Sequence, residues 1–178
     1  VAIIALYFHQ GYVQVEVSYD DDALAQGEIQ YKIQEGPQVK VRKILFEGRQ
    51  SLPERELKKQ IETKTAIWIF RAGTLDPQQV ETDAAKLQSY YRDQGFLDAK
   101  VGFRVEELDK PGDRRVVFTI EEGTRYLIES IRFEGNTVFA SDELASLMRS
   151  KVGEFVIQSK VESDRALFET RYSEAGYI

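Results

Sequence analysis

The chain of 178 residues contains one histidine, His9, and no cysteine. The side chains that most often serve as nucleophile, general base or metal ligand near neutral pH are therefore almost absent. A single imidazole cannot build a multi-histidine metal site, and a thiolate site or disulfide framework is excluded. Thirty acidic residues leave a paired-carboxylate hydrolase formally open. The most conspicuous pair, Glu121 and Glu122, are neighbours on an expected strand, however, and strand neighbours point to opposite faces. No glycine-rich phosphate loop accompanies them. The residues thus indicate no catalytic site, no metal site and no cofactor, and His9 reads as a solvated residue at a helix C-terminus. A formal charge of −6 argues against a nucleic-acid partner, because phosphate neutralisation needs a basic face. The short cluster Lys40, Arg42 and Lys43 is flanked by acids and reads as solvated surface.

With 42% hydrophobic and 30% charged residues, the chain is ordinary globular material. Its longest apolar stretch, Val1 to Phe8, is far short of the roughly 20 residues that cross a bilayer. That stretch lacks the basic start and cleavage site of a signal peptide and reads as the interior of a longer pattern. Internal repeats organise the rest. Phe46-Glu47-Gly48 returns as Phe133-Glu134-Gly135, Ile44 as Ile131, Leu57 as Leu144 and Glu35-Gly36 as Glu122-Gly123, each 87 residues on. A glycine followed by an aromatic appears as Gly11-Tyr12, Gly95-Phe96 and Gly176-Tyr177, at spacings of 84 and 81. The chain therefore holds the end of one module over residues 1–38, a complete module over 39–125 and the start of another over 126–178.

Periodicity supplies the elements of the complete module. Val41 to Glu47 has strand character. Ser51 and Glu54 resemble a capping box opening a short helix to about Ile61. Asp76 and Pro77 suit the N-cap and first position of a second helix, whose stripe is Val80, Ala84, Leu87 and Tyr91 and whose stop is Gly95. Leu97, Ala99, Val101, Phe103 and Val105 alternate with polar residues, as do Val116, Phe118 and Ile120 after a turn at 110–113. Val13, Val15 and Val17, then Ile29, Tyr31 and Ile33, show the same alternation in the preceding copy. The fold class is α+β: tandem β-α-α-β-β modules, each a three-stranded mixed sheet with two helices packed on one face.

These residues resemble the polypeptide-transport-associated (POTRA) domain. The resemblance rests on Ile44-Leu45-Phe46-Glu47-Gly48, its copy Ile131-Arg132-Phe133-Glu134-Gly135, the helix end Tyr90 to Ala99 and the closing Ile120-Glu121-Glu122-Gly123. Tandem copies of this kind are similar to the periplasmic part of BamA-type outer-membrane protein assembly factors. The resemblance implies a non-catalytic scaffold in the periplasm, attached to the outer membrane of a Gram-negative-type cell through a C-terminal membrane barrel that is not in this sequence. It implies unfolded outer-membrane proteins and accessory assembly lipoproteins as partners, with guest strands pairing to the module's second strand. A two-partner secretion transporter handling one dedicated client is the alternative. Cell-division proteins carry a single such module, which the repeats disfavour.

Two candidate contact sites follow. An exposed strand edge offers unpaired N–H and C=O groups, which a guest strand can satisfy with little regard to side-chain identity. The candidate edge is Leu97, Ala99, Lys100, Val101, Gly102, Phe103, Arg104 and Val105, with Val13 to Tyr19 as its counterpart. The competing reading is a half-buried strand whose edge is covered by neighbours. The second candidate is the apolar run Ile67, Trp68, Ile69 and Phe70, read either as a partner-contact loop or as side chains folded back onto the protein. The joints 36–40 and 123–127 are short enough to permit limited bending only.

Overall fold

The computed structural model describes residues 2–66 and 73–177. Its elements run α1 (Ala2–His9), β1 (Glu16–Tyr19), α2 (Asp21–Ala25), β2 (Tyr31–Gln34), β3 (Lys40–Glu47), α3 (Glu54–Gln60), α4 (Pro77–Asp93), β4 (Lys100–Glu107), β5 (Asp113–Glu121), α5 (Ser141–Leu147) and α6 (Gln158–Glu174). By contacts the chain divides into two compact units, Val1–Lys86 with Val101–Ile120, and Leu87–Lys100 with Glu121–Ile178.

The first unit holds a two-stranded antiparallel sheet, β1–β2, and most of a three-stranded sheet ordered β3-β5-β4. β3 and β5 are parallel, with Ile44 beside Val116 and Phe46 beside Phe118. β4 and β5 form a hairpin whose short connection requires antiparallel pairing. The sheet is therefore mixed and the fold α+β. Alternation turns Ile44, Phe46, Val116, Phe118 and Ile120 to one face, where the Phe46 and Phe118 rings stack at 5.5 Å. Leu57 and Ile61 from the α3 region and Val80 and Ala84 from α4 are buried with them. The expected α4 stripe is fully realised: Val80, Leu87 and Tyr91 are wholly buried, and Ala84 nearly so.

Asp76 accepts from the N–H groups of Gln78 (3.0 Å) and Gln79 (3.3 Å), so the expected cap of α4 forms. The N-cap position of α3 falls on Pro53, two residues past the expected Ser51, and Pro53 has no side-chain acceptor to cap with. Strand character expected from Leu97 starts only at Lys100. The chain is still turning out of the helix cap there, with the Ala99 N–H bonded to the Phe96 carbonyl at 3.0 Å. In the preceding copy only Glu16–Tyr19 of the stretch from Val13 is strand. The Ile131 to Gly135 segment is not a strand at all. Ile44 pairs with Val116, whereas Ile131 has no strand partner among the described residues. A strand without a ladder leaves its backbone groups to water.

Repetition extends to single hydrogen bonds. Three helices end alike, with a 6→1 bond from the aromatic after the glycine: Tyr12 to Tyr7 (3.0 Å), Phe96 to Tyr91 (3.1 Å) and Tyr177 to Tyr172 (3.0 Å). Their glycines have φ of 84°, 94° and 85°, the left-handed conformation that favours glycine. In each copy the two aromatic rings meet edge to face, 5.7, 5.8 and 6.1 Å apart. The joints repeat as well. Within the first unit, the Val39 N–H donates to the Gly11 carbonyl (2.7 Å) and the Gln38 side chain to the Gln10 carbonyl (2.9 Å). Within the second, the Tyr126 N–H donates to Gly95 (2.9 Å) and the Arg125 side chain to Gln94 (2.7 Å). Tyr7 donates to Glu35 (2.9 Å) just as Tyr91 donates to Glu122 (3.2 Å).

Candidate functional site

β4 occupies one border of the three-stranded sheet and β3 the other. The two borders differ. Along β3 the Val39 carbonyl accepts from the Leu75 N–H (3.1 Å), the Val41 N–H donates to Gly73 (2.7 Å), and the Val41 carbonyl accepts from Ala66 (2.7 Å). The connection between α3 and α4 thus closes the start of that border. No strand of the described residues pairs with the outer side of β4.

Which β4 groups face outward follows from one bond. The Leu108 N–H donates to the Asp113 carbonyl at 3.1 Å, tying Leu108 to β5. In an antiparallel ladder, inward and outward residues alternate. The backbone N–H and C=O of Phe103 and Val105 therefore point away from β5, along the border. These two residues are each 38% exposed. An apolar pair on a border that no described strand joins is the arrangement that strand addition uses.

The opposite face of β4 is charged and self-satisfied. Gly102 lies against Thr119 of β5, and Glu106 against Arg115 at 3.2 Å, so Arg104 lies opposite Val117. Arg104 donates to Glu106 (2.8 Å) and to Glu47 of β3 (2.9 Å), which takes its stem across β5. Val117 of the same face is fully buried. The bond from Arg104, supported by Arg115, holds the Glu106 carboxyl below the usual carboxylate range. Charges laid across an edge sheet discourage indiscriminate pairing.

The remaining predicted site residues divide. Lys100, Gly102 and Arg104 are exposed on β4 and Val101 is half-buried. Leu97 is half-buried and Ala99 buried, both in the turn before β4. The run Ile67, Trp68, Ile69 and Phe70 lies outside the described residues. His9 ends α1, and its Nδ1 stands 2.7 Å from Asp76 Oδ2. Among the described residues no cluster of His, Asp and Glu is arranged to hold a metal.

Two functional-looking acids escaped sequence reasoning. Asp83 is fully buried and accepts from the N–H groups of Glu62 (2.9 Å) and Thr63 (2.7 Å). Asp164 accepts from Arg149 (2.8 Å) and Ser150 (3.0 Å). Burial pushes the Asp164 carboxyl up, but Ser150 and the two backbone N–H groups outweigh it and hold the group below its ordinary value. The signal was available: Val80-Glu81-Thr82-Asp83 returns as Val161-Glu162-Ser163-Asp164 after 81 residues.

A family profile described as "POTRA: Surface antigen variable number repeat" matches residues 39–123 and again 126–178. The chain belongs to the POTRA family. Its POTRA modules are similar in sequence to a protein of Treponema pallidum (strain Nichols) named as an outer membrane protein assembly factor. Identity there is 32% over 177 residues, covering 96% of this chain and 21% of that protein. Similarity to "Outer membrane protein assembly factor BamA" of Neisseria meningitidis serogroup B (strain ATCC BAA-335 / MC58) is 24% over 178 residues, covering 96% of this chain and 22% of that protein. The chain spans about a fifth of the length of these curated relatives. POTRA domains 3–5 of Haemophilus influenzae BamA superpose with a TM-score of 0.57 at 19% identity, covering 96% of this chain and 66% of that one. BamA of Haemophilus ducreyi lacking POTRA domains 1–3 gives 0.58 at 24% identity, covering 74% and 24%. These two likenesses speak to the POTRA fold. Among the described residues no helix is long and apolar enough to cross a membrane.

Proposed function

We propose that this chain is a non-catalytic, periplasmic receiving segment of an outer-membrane β-barrel assembly factor, and that it holds unfolded barrel strands by pairing them to β4. The β4 border, which no described strand joins, with the outward backbone groups of the exposed residues Phe103 and Val105, carries the reading. Backbone pairing suits a receptor whose guests share strand character and little sequence. Accessory lipoproteins and the membrane barrel of the parent protein complete the assembly in this reading, and no cofactor takes part.

The test uses one substitution against strand-forming peptides taken from outer-membrane barrels. Val105→Pro removes an outward N–H without breaking a bond to β5, and proline is tolerated on sheet borders. In backbone-amide NMR titrations of the 178-residue chain, peptide should shift resonances along 100–107. Val105→Pro should abolish those shifts while leaving the β5 resonances in place. Equal peptide binding by this variant, or shifts scattered away from β4, would overturn the reading. A response to one dedicated client peptide and to no general barrel strand would favour the secretion-transporter alternative.

A further inference from the structure

We propose that the last turn of one module's long helix supplies the N-terminal stop for the long helix of the next, and that Asp93 is this stop for α6. The first four N–H groups of any helix lack intrahelical partners and are ordinarily met by an Asp, Asn, Ser or Thr at the N-cap. α4 meets the requirement from within, through Asp76. The N-cap position of α6 is Ile157, whose side chain accepts nothing. The Ser159 N–H donates instead to Oδ1 of Asp93, the last residue of α4, at 2.9 Å. The cap is delivered from the preceding module.

Position within the repeat supports the assignment. Asp93 stands two residues before Gly95, as His9 stands two before Gly11. His9 reaches the same place on the following module: its Nδ1 is 2.7 Å from Asp76, the carboxylate that caps α4. In both copies, then, a carboxylate sits over the start of the second helix and the preceding helix end holds it there. At one joint the acid belongs to the incoming helix, at the other to the outgoing one. An acid in the last turn of its own helix opposes that helix's dipole. Asp93 bears that disadvantage in α4 while favouring α6, so its placement makes sense only across the joint. The neighbouring bonds from Arg125 to Gln94 and from Tyr126 to Gly95 fix the two segments in register. Separating them would leave α6 uncapped, which couples the order of this helix to the joint. The role stands whether or not β4 takes a guest strand.

The absence of cysteine makes the test direct. Spin labels placed through Lys100→Cys and Lys151→Cys, both exposed positions, report the distance distribution across the joint. Asp93→Ala should broaden that distribution, and it should speed exchange of the Ser159 amide about fivefold, as loss of a typical cap does. Asp93→Asn should keep both values, because an amide oxygen also caps. Adding Ile157→Asp to Asp93→Ala should restore slow exchange at Ser159 and leave the distribution broad. The proposal fails if Asp93→Ala changes neither readout, or if Ile157→Asp narrows the distribution as well, since the contact would then serve helix stability alone.

Discussion

Among the described residues, Asp83 and Asp164 are the buried acids, and each spends its oxygens on two consecutive backbone N–H groups. Those donors follow α3 and α5, where the chain has left the helix and has no ladder to join. A buried N–H without a partner costs the desolvation it suffered, so the aspartate is what permits the chain to bend there. Asp83→Ala should lower unfolding stability by about 2 kcal/mol in urea titrations, with the buried Thr63 donor and the part-buried Glu62 donor orphaned at once. Asp83→Asn, which keeps one acceptor, should lose less. Sequence reasoning missed both acids because it followed apolar periodicity. A polar motif repeating at 81 rather than 87 residues, the helix-end spacing rather than the strand spacing, lay outside that search. His9 reads from sequence as merely solvated, because its hydrogen bond with Asp76 joins residues 67 apart that no local pattern connects.

At the scale of elements, legibility tracked how local the cause was. The glycine–aromatic helix ends, the Asp76 cap and the α4 stripe depend on neighbours within two turns, and all three formed as read. Ile131 to Gly135 carries nearly the same letters as Ile44 to Gly48, yet only the latter is a strand, because pairing is a property of two segments. At the start of α3 the shift is local: the cap position falls on Pro53, two residues past Ser51. The last residue of the repeated strand motif carries its own contrast. Gly48 has φ of 83°, and a Cβ there would stand 2.1 Å from the Ile120 carbonyl oxygen, whereas Gly135, at 78°, has open space around it. Gly48→Ala should therefore cost more than about 2 kcal/mol, the left-handed penalty plus a backbone clash, and Gly135→Ala only about 1 kcal/mol. Paired thermal melts of the two variants test the difference, and equal losses would refute it.

For the molecule as a whole, protection from solvent is uneven. Val116, Val117 and Phe118 on the central strand β5 are fully buried, while all four residues of β2 are exposed. Hydrogen exchange should accordingly be slowest for the amides of β5, faster for β1 and β2, and fastest along 129–135, which has no strand partner among the described residues. Exchange in 129–135 as slow as in β5 would mean that this segment is paired in solution. The α+β class was readable from spacing alone, but the difference between the two sheet borders was not. It arises from Ala66, Gly73 and Leu75 closing on Val39 and Val41, a contact made by residues of ordinary composition.

The glycine turn that holds Val39 in one copy holds Tyr126 in the next, so the complete copy presents a donor at its start and the matching acceptor at its helix end. Such head-to-tail complementarity has no built-in count. Duplicating a gene segment would lengthen the array with a junction already fitted, and deleting one would shorten it without exposing a mismatched seam. Variation in array length among descendants of one ancestor would then require no new interface to evolve.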